Sequence, residues 1–446
     1  MPDLSAFKKA ALSALVVLSL GCTAAAADDE DINPFAKFKH NQQSAQSASG
    51  TAAASTPAAK KGSTPTVQPS APVAIPAPPE FDAQAWVLMD YASGHVVCAK
   101  NQDEKIWPAS LTKMMTSYVI GTEIKAGRLH MNDNVTITED AWAKKYTDSS
   151  KMFIEVGKAI KVEDLVKGIV IQSGNDACVA MAIHLAGNQE DFVSVMNEYA
   201  ARLGLKNTHF ANVHGLFDEY NYSTAYDMAL LGRALIHDLP EEYALYKQKE
   251  FTFNGIKQYN RNRLLWDKSM NVDGIKTGHL SQVGYNLVSS ATQDNMRLIA
   301  AVIGAGSEKS RAEFCKSLMQ YGFRYFEQYI PYTSGKVLLN REVRMGDQNS
   351  VDLILKEDLS VLVPRGREKE VKIRYRLKSG TFIAPIRQGQ VLGTIDVKLN
   401  DALLGSAPLT AAQDIGQGGP LSRAWDRVVM FFTSSDKEVE AVPEGK

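Results

Sequence analysis

Hydrophobic and polar positions change rhythm several times along the chain. Residues 10–20, AALSALVVLSL, are nearly all apolar and follow Lys8 and Lys9. From 33 to 79 the rhythm vanishes into Ala, Ser, Pro, Gln and Lys, too few large apolar groups to offset ordering entropy. This stretch is expected to be a disordered tether, stiffened locally by proline. WVLMDYASGHVVCAKN then reads as a hairpin with YASG at its turn. PASLTKMMTSYVI opens a helix, VEDLVKGIVIQSGNDACVAMAIHLAG gives two helical stretches broken at Ser173-Gly174-Asn175, and EDFVSVMNEYAARLGL and TAYDMALLGRALIHD repeat at helical period. After Asn271 the period shortens to that of strands, in VDGIKTG, YNLVSSAT and RLIAAVIG, and a helix over 309–328 follows. Those late strands are joined too tightly for crossovers, so they must pair antiparallel. From 332 to 415 VDLILK, LSVLVP, EVKIRYRL and VLGTIDVKL predict a small all-β domain, and PLSRAWDRVVMFF predicts an amphipathic helix before a polar tail.

The predicted division is a leader over 1–27, the tether over 28–79, an α/β domain over 80–328, the β domain over 329–415, and the helix with its tail over 416–446. A chain of 446 residues with 45% apolar content supports two cores. Its net charge of −1 argues against a nucleic-acid partner. The apolar run is short for a bilayer, which takes about 20 residues, and Ala25-Ala26-Ala27 offers a cleavage site, so export is expected. Leu20-Gly21-Cys22 leaves lipidation of Cys22 open instead. Cys22, Cys98, Cys178 and Cys315 form neither a CxxC pair nor a zinc spacing, and no metal or other cofactor is called for.

Three short motifs carry the candidate chemistry: Ser110-Leu111-Thr112-Lys113 at a helix start, Ser173-Gly174-Asn175 between helices, and Lys276-Thr277-Gly278 on a strand. Taken singly they are a serine cap with a solvated lysine, an interhelix loop and a turn. Taken in this order and context they are specific. S-x-x-K, S-D-N and K-T-G mark class A β-lactamases and penicillin-binding proteins, with SGN here in the middle slot. A serine hydroxyl is a poor nucleophile until a base removes its proton. Lys113, one helical turn from Ser110, can be that base if burial and the neighbouring cation Lys276 lower its pKa. Ser173 can relay a proton to a leaving amine, and Asn175 can hold a substrate backbone. Lys276 and Thr277 suit a carboxylate. The backbone N–H groups of Ser110 and His279 would form an oxyanion hole.

Residues 81–432 resemble the D-alanyl-D-alanine carboxypeptidases among low-molecular-mass penicillin-binding proteins, of the kind with an added β domain and a C-terminal anchor. The resemblance extends to LMDYASGHVVCAKNQDEKIWPASLTKMM, LGLKNTHFANVHGL, EFTFNGIKQYNRNRLLWD, NVDGIKTGHLSQVGYNLVSSAT and VPRGR. It implies a β-lactamase/transpeptidase-like α/β (α+β) fold, with an antiparallel sheet flanked by helices and a small all-β second domain. It also implies acylation of Ser110 by the penultimate D-Ala of a peptidoglycan stem peptide, loss of terminal D-Ala, hydrolysis of the ester, and covalent capture of β-lactams. Lys113 is implied as proton acceptor, Ser173 as the third catalytic group, Lys276 as a substrate cation and Arg311 as the site for the terminal carboxylate. His214 and Arg261 are implied as cleft-lining or supporting positions, with a satisfied histidine and a structural ion pair as alternatives. The implied location is the periplasmic face of the inner membrane, held peripherally by the C-terminal helix. The long Ala/Ser/Pro tether is not typical of the family, and two further departures stand out. AWAKKYTDSSKMF looks shorter than the corresponding loop of relatives, and Asp148 stands where they commonly carry Gly. That loop is implicated in deacylation. A β-lactamase would share the motifs, but E-x-x-L-N is missing between SGN and KTG. A D,D-endopeptidase and a non-catalytic wall-binding scaffold are the remaining alternatives.

Overall fold

The structure, a computed structural model, describes residues 75–433 and 439–441, with side chains to residue 430. The leader, Cys22 and nearly all of the tether lie outside the described residues.

The first strand explains the layering. β1 (Ala85–Asp90) reads AWVLMD and is buried throughout. Successive side chains of a strand point to opposite faces. Ala85, Val87 and Met89 join one apolar cluster, while Trp86 and Leu88 join another with Ala312, Cys315, Leu318 and Met319. The sheet is therefore covered on both sides, and its sequence is a continuous apolar run rather than an alternation. β1 turns through Tyr91–Gly94 into β2 (Val96–Lys100); Asp90 accepts the Ser93 N–H at 2.9 Å, and Gly94 supplies the positive φ of 73°. The other strands arrive late in the chain: β3 (Asn271–Leu280), β4 (Gly284–Gln293) and β5 (Met296–Ala305). The order is β2-β1-β5-β4-β3, antiparallel throughout, as the short connections require. β3 is an edge strand, so one side of its backbone is left without a strand neighbour.

Between β2 and β3 lies the helical layer. It includes α1 (Lys113–Lys125) and α2 (Asn175–Ala186), both nearly wholly buried. On the opposite face of the sheet packs α3 (Glu308–Tyr325), opened by a reciprocal cap between Ser307 and Ser310. The predicted helix over 309–328 thus ends three residues early, because Phe326–Tyr332 pairs antiparallel with Leu359–Pro364.

Beyond that ribbon a seven-stranded sheet folds around its own core, which includes Val351, Leu353, Val361, Ile395, Val397 and Leu409. The fold class is the predicted one, an antiparallel sheet flanked by helices followed by an all-β unit. The last helix, α4 (Pro420–Thr433), touches the β unit through a polar residue: Asp426 accepts the Met345 N–H at 2.5 Å and lies 3.5 Å from Arg344. Leu421, Trp425 and Val428 are 88%, 69% and 51% exposed. Among the described residues no helix is long and apolar enough to cross a membrane.

Candidate active site

Ser110 sits in a tight 3₁₀ turn, Ala109–Thr112, that runs directly into α1. Ala109 adopts a φ of 53°, a region costly for alanine. Gly215 helps to hold it there by packing against its carbonyl; a Cβ on Gly215 would lie 1.8 Å from that oxygen. Ser110 and Lys113 lie three residues apart and face the same way. Lys113 is 0% exposed. Its Nζ lies 3.1 Å from Ser110 Oγ and also donates to the main-chain carbonyl of His214. Burial pushes Lys113 down to about 8, and the charge of Arg261 adds to the effect. The sequence assigned that role to Lys276. Arg261, which lines the cleft, shares that role with Lys276, whose charge and that of Lys113 repel each other.

Ser173 ends a buried helix that runs from Val162–Lys167 through a π turn, Gly168–Gln172. π turns and left-handed non-glycine residues concentrate at functional sites, and Ser173 has a φ of 67°. Its Oγ is buried and finds no hydrogen-bond partner among the described residues. Asn175 begins α2, and its amide donates to Ser149 Oγ at 2.9 Å. The next residue, Asp176, accepts main-chain N–H groups from Met152, Phe153 and Ile154 at 2.9–3.3 Å and from Ala177 at 2.9 Å. Burial raises the Asp176 pKa, and these donors oppose that rise.

β3 supplies the third wall. Lys276 and Thr277 are buried, and Lys276 Nζ donates to the Thr277 carbonyl at 3.1 Å. Burial lowers the Lys276 pKa well below the usual lysine range, and Lys113, Arg261 and Arg311 lower it further. Two full charges on Lys113 and Lys276 therefore disfavour each other. Gly278 lets the strand lie against the serine turn: a Cβ there would sit 3.0 Å from the Pro108 carbonyl oxygen and 3.3 Å from the Ser110 nitrogen. His279 follows, with its ring 4.2 Å from that of Tyr285. From α3, Arg311 donates to the Gly278 carbonyl at 3.1 Å, lies over the Tyr285 ring and comes within 4.0 Å of Glu308.

These three walls enclose a cleft of about 730 Å³. Ser110, Ser173, Asn175, Thr277, His279 and Arg311 line it, with Lys113 and Lys276 buried beside them. Arg261 also lines it and forms no hydrogen bond or ion pair among the described residues; its neighbour Arg263 takes Glu308 at 2.9 Å instead. His214 contributes its carbonyl. Its half-buried ring accepts the Leu216 N–H at 3.2 Å, and burial followed by the Lys113 charge pushes its pKa to about 3, so it stays neutral. The sequence reading missed Ser149, Asp176 and Glu308. Asp176 had a visible signal, an acid in the first turn of a helix. Ser149 and Glu308 are recognisable only once the chain has folded.

Comparison with known proteins agrees with this geometry. The family description D-alanyl-D-alanine carboxypeptidase matches residues 72–307, and that of the penicillin-binding protein 5 C-terminal domain matches 326–417. The chain is 50% identical to the D-alanyl-D-alanine carboxypeptidase DacC of Escherichia coli over 79% of its own length and 89% of the relative's. It is 49% identical to DacA of Haemophilus influenzae, over 79% and 90%. Among solved structures, penicillin-binding protein 5 from Haemophilus influenzae superposes with a TM-score of 0.71 at 49% identity, over 76% of this chain and 99% of that one. Penicillin-binding protein 6B from Escherichia coli gives 0.62 at 42%, over 75% and 96%. Similarity of this extent, across both units of the fold, places the chain in the D-alanyl-D-alanine carboxypeptidase family.

Proposed function

We propose that the chain is a serine-type D-Ala-D-Ala carboxypeptidase acting on peptidoglycan stem pentapeptides, and that Ser110 carries the acyl group. The observation that supports this best is the 3.1 Å approach of Lys113 Nζ to Ser110 Oγ at the wall of the cleft. A neutral Lys113 donates to the His214 carbonyl and keeps its lone pair for the Ser110 proton. Ser110 Oγ attacks the penultimate D-Ala carbonyl, and the N–H groups of Ser110 and His279 receive the oxyanion. The C–N bond breaks, Ser173 passes a proton to the departing amine, and water then hydrolyses the ester. Asn175 holds the substrate backbone. Thr277, Lys276 and Arg311 take the terminal carboxylate, with Arg261 lending positive charge. A carboxylate at that place favours the charged form of Lys276, and the repulsion then falls on Lys113, which is held neutral. β-Lactams, which present a carboxylate and a reactive carbonyl together, are captured by the same groups.

The proposed division is a catalytic unit over 80–328, a β domain over 329–415 that acts as spacer, and an anchor over 416–446. The exposed stripe of Leu421, Trp425 and Val428 suits the interface of a membrane, with Arg423 and Arg427 toward anionic head groups. The enzyme is then exported and works peripherally at the periplasmic face of the inner membrane.

The test is release of D-Ala from a stem pentapeptide and from the same peptide amidated at its C-terminus. The free acid is expected to turn over and the amide to lose about 10- to 100-fold, the scale of one charge-assisted hydrogen bond. Arg311→Ala should erase most of that difference. Equal rates for acid and amide, or cleavage of cross-linked dimers in preference to either, would replace the carboxypeptidase reading with an endopeptidase.

A further inference from the structure

We propose that Phe217, with Leu216, forms an apolar subsite for the acyl half of the substrate, the half that stays on Ser110 after the leaving group departs. The inference rests on Ser110 being the nucleophile. Phe217 and Leu216 line the cleft and remain 50% and 37% exposed. The lining from the loop over 147–150 is polar: Thr147, Asp148, Ser149 and Ser150.

The ring of Phe217 is held in place before any ligand arrives. Trp107 meets it edge to face, with centroids 5.0 Å apart and planes at 69°. The loop beneath it is cross-braced. Asn212 accepts the Gly215 N–H at 2.6 Å and donates to the Leu216 carbonyl at 3.1 Å. Asp218 accepts the Tyr220 N–H at 2.8 Å on the other side. A preorganised aromatic wall costs little conformational entropy when it receives a ligand. Its place also fixes which half of the substrate it meets. Gly215 packs on Ala109, and His214 offers its carbonyl to Lys113, so the two apolar residues follow directly after the contacts to the serine turn. The carboxylate-seeking groups Thr277, Arg261 and Arg311 come from β3, the segment before it and α3. An apolar wall offers nothing to a carboxylate, so it serves the acyl side. The favoured ligands are acyl donors with an aromatic or branched aliphatic group next to the acyl amide.

Benzylpenicillin and 6-aminopenicillanic acid share the reactive ring and carboxylate and differ by the phenylacetyl group. Second-order acylation constants for both should be measured on the wild type, Phe217→Ala and Phe217→Leu. The ratio of benzylpenicillin to 6-aminopenicillanic acid is expected to fall about tenfold in Phe217→Ala, the scale of a lost aromatic contact, and to recover in part in Phe217→Leu. An unchanged ratio would overturn the subsite, whether both constants fall together through disturbance of the His214 carbonyl or neither moves. Failure of benzylpenicillin to acylate the wild type at Ser110 would overturn the nucleophile assignment as well, a result separate from an unchanged ratio.

Discussion

Asp176 holds Met152 by its main chain: the two carboxylate oxygens lie 2.9 and 3.1 Å from the Met152 nitrogen. The same carboxylate takes the N–H groups of Phe153 and Ile154, so one side chain fixes the end of the loop that carries Ser149 and Ser150 into the cleft. Removing it leaves several buried donors unpaired.

Asp176→Ala should therefore destabilise the protein by about 2–4 kcal/mol, read by denaturant unfolding. It should also slow hydrolysis of the acyl-enzyme more than its formation, read by the lifetime of a fluorescent penicillin adduct. A variant of wild-type stability and adduct lifetime would show that the loop is held elsewhere.

Acylation should depend on pH through Lys113. Its pKa is lowered to about 8, mainly by burial. The base works only when neutral, so acylation should be slowed by acid and level off above the folded pKa. Below that pKa the rate constant should fall about tenfold per pH unit. Lys113→Ala should remove about 10²–10⁴-fold of the rate and flatten this limb. A profile that keeps its rise without Lys113 would assign the base elsewhere, with Lys276 the next candidate.

The C-terminal helix should bind membranes by its exposed stripe. Trp425→Asp with Val428→Asp should abolish cosedimentation with anionic lipid vesicles while leaving D-Ala release in solution intact. Both residues are exposed and remote from the cleft lining, so the fold should tolerate the change. Undiminished vesicle binding would move the anchor to the N-terminus and bring lipidation of Cys22 forward.

Much of this was readable from the sequence because local rules carried it. The spacing of Ser110 and Lys113 on one turn, the break at Ser173-Gly174-Asn175 and the late antiparallel strands all follow from period and turn chemistry. What could not be read depends on contacts distant in sequence. The acceptor for Lys113 is a carbonyl 101 residues away. The cations that act on it include Arg261, 148 residues further along the chain, a role that the sequence reading gave to Lys276 alone. The role of Gly278 became visible only when β3 was seen to lie against the Ser110 turn. Nothing in the sequence marks Phe217; its place follows from Trp107 and the cleft lining.

The account turns on Ser110 as the group that is acylated. The most direct measurement is peptide-level mass spectrometry of the protein after brief treatment with benzylpenicillin, in the wild type, Ser110→Ala and Lys113→Ala. The account predicts one adduct, on the peptide that holds Ser110, absent from Ser110→Ala and strongly delayed in Lys113→Ala. An adduct on another residue, or full labelling of Ser110→Ala, would contradict it.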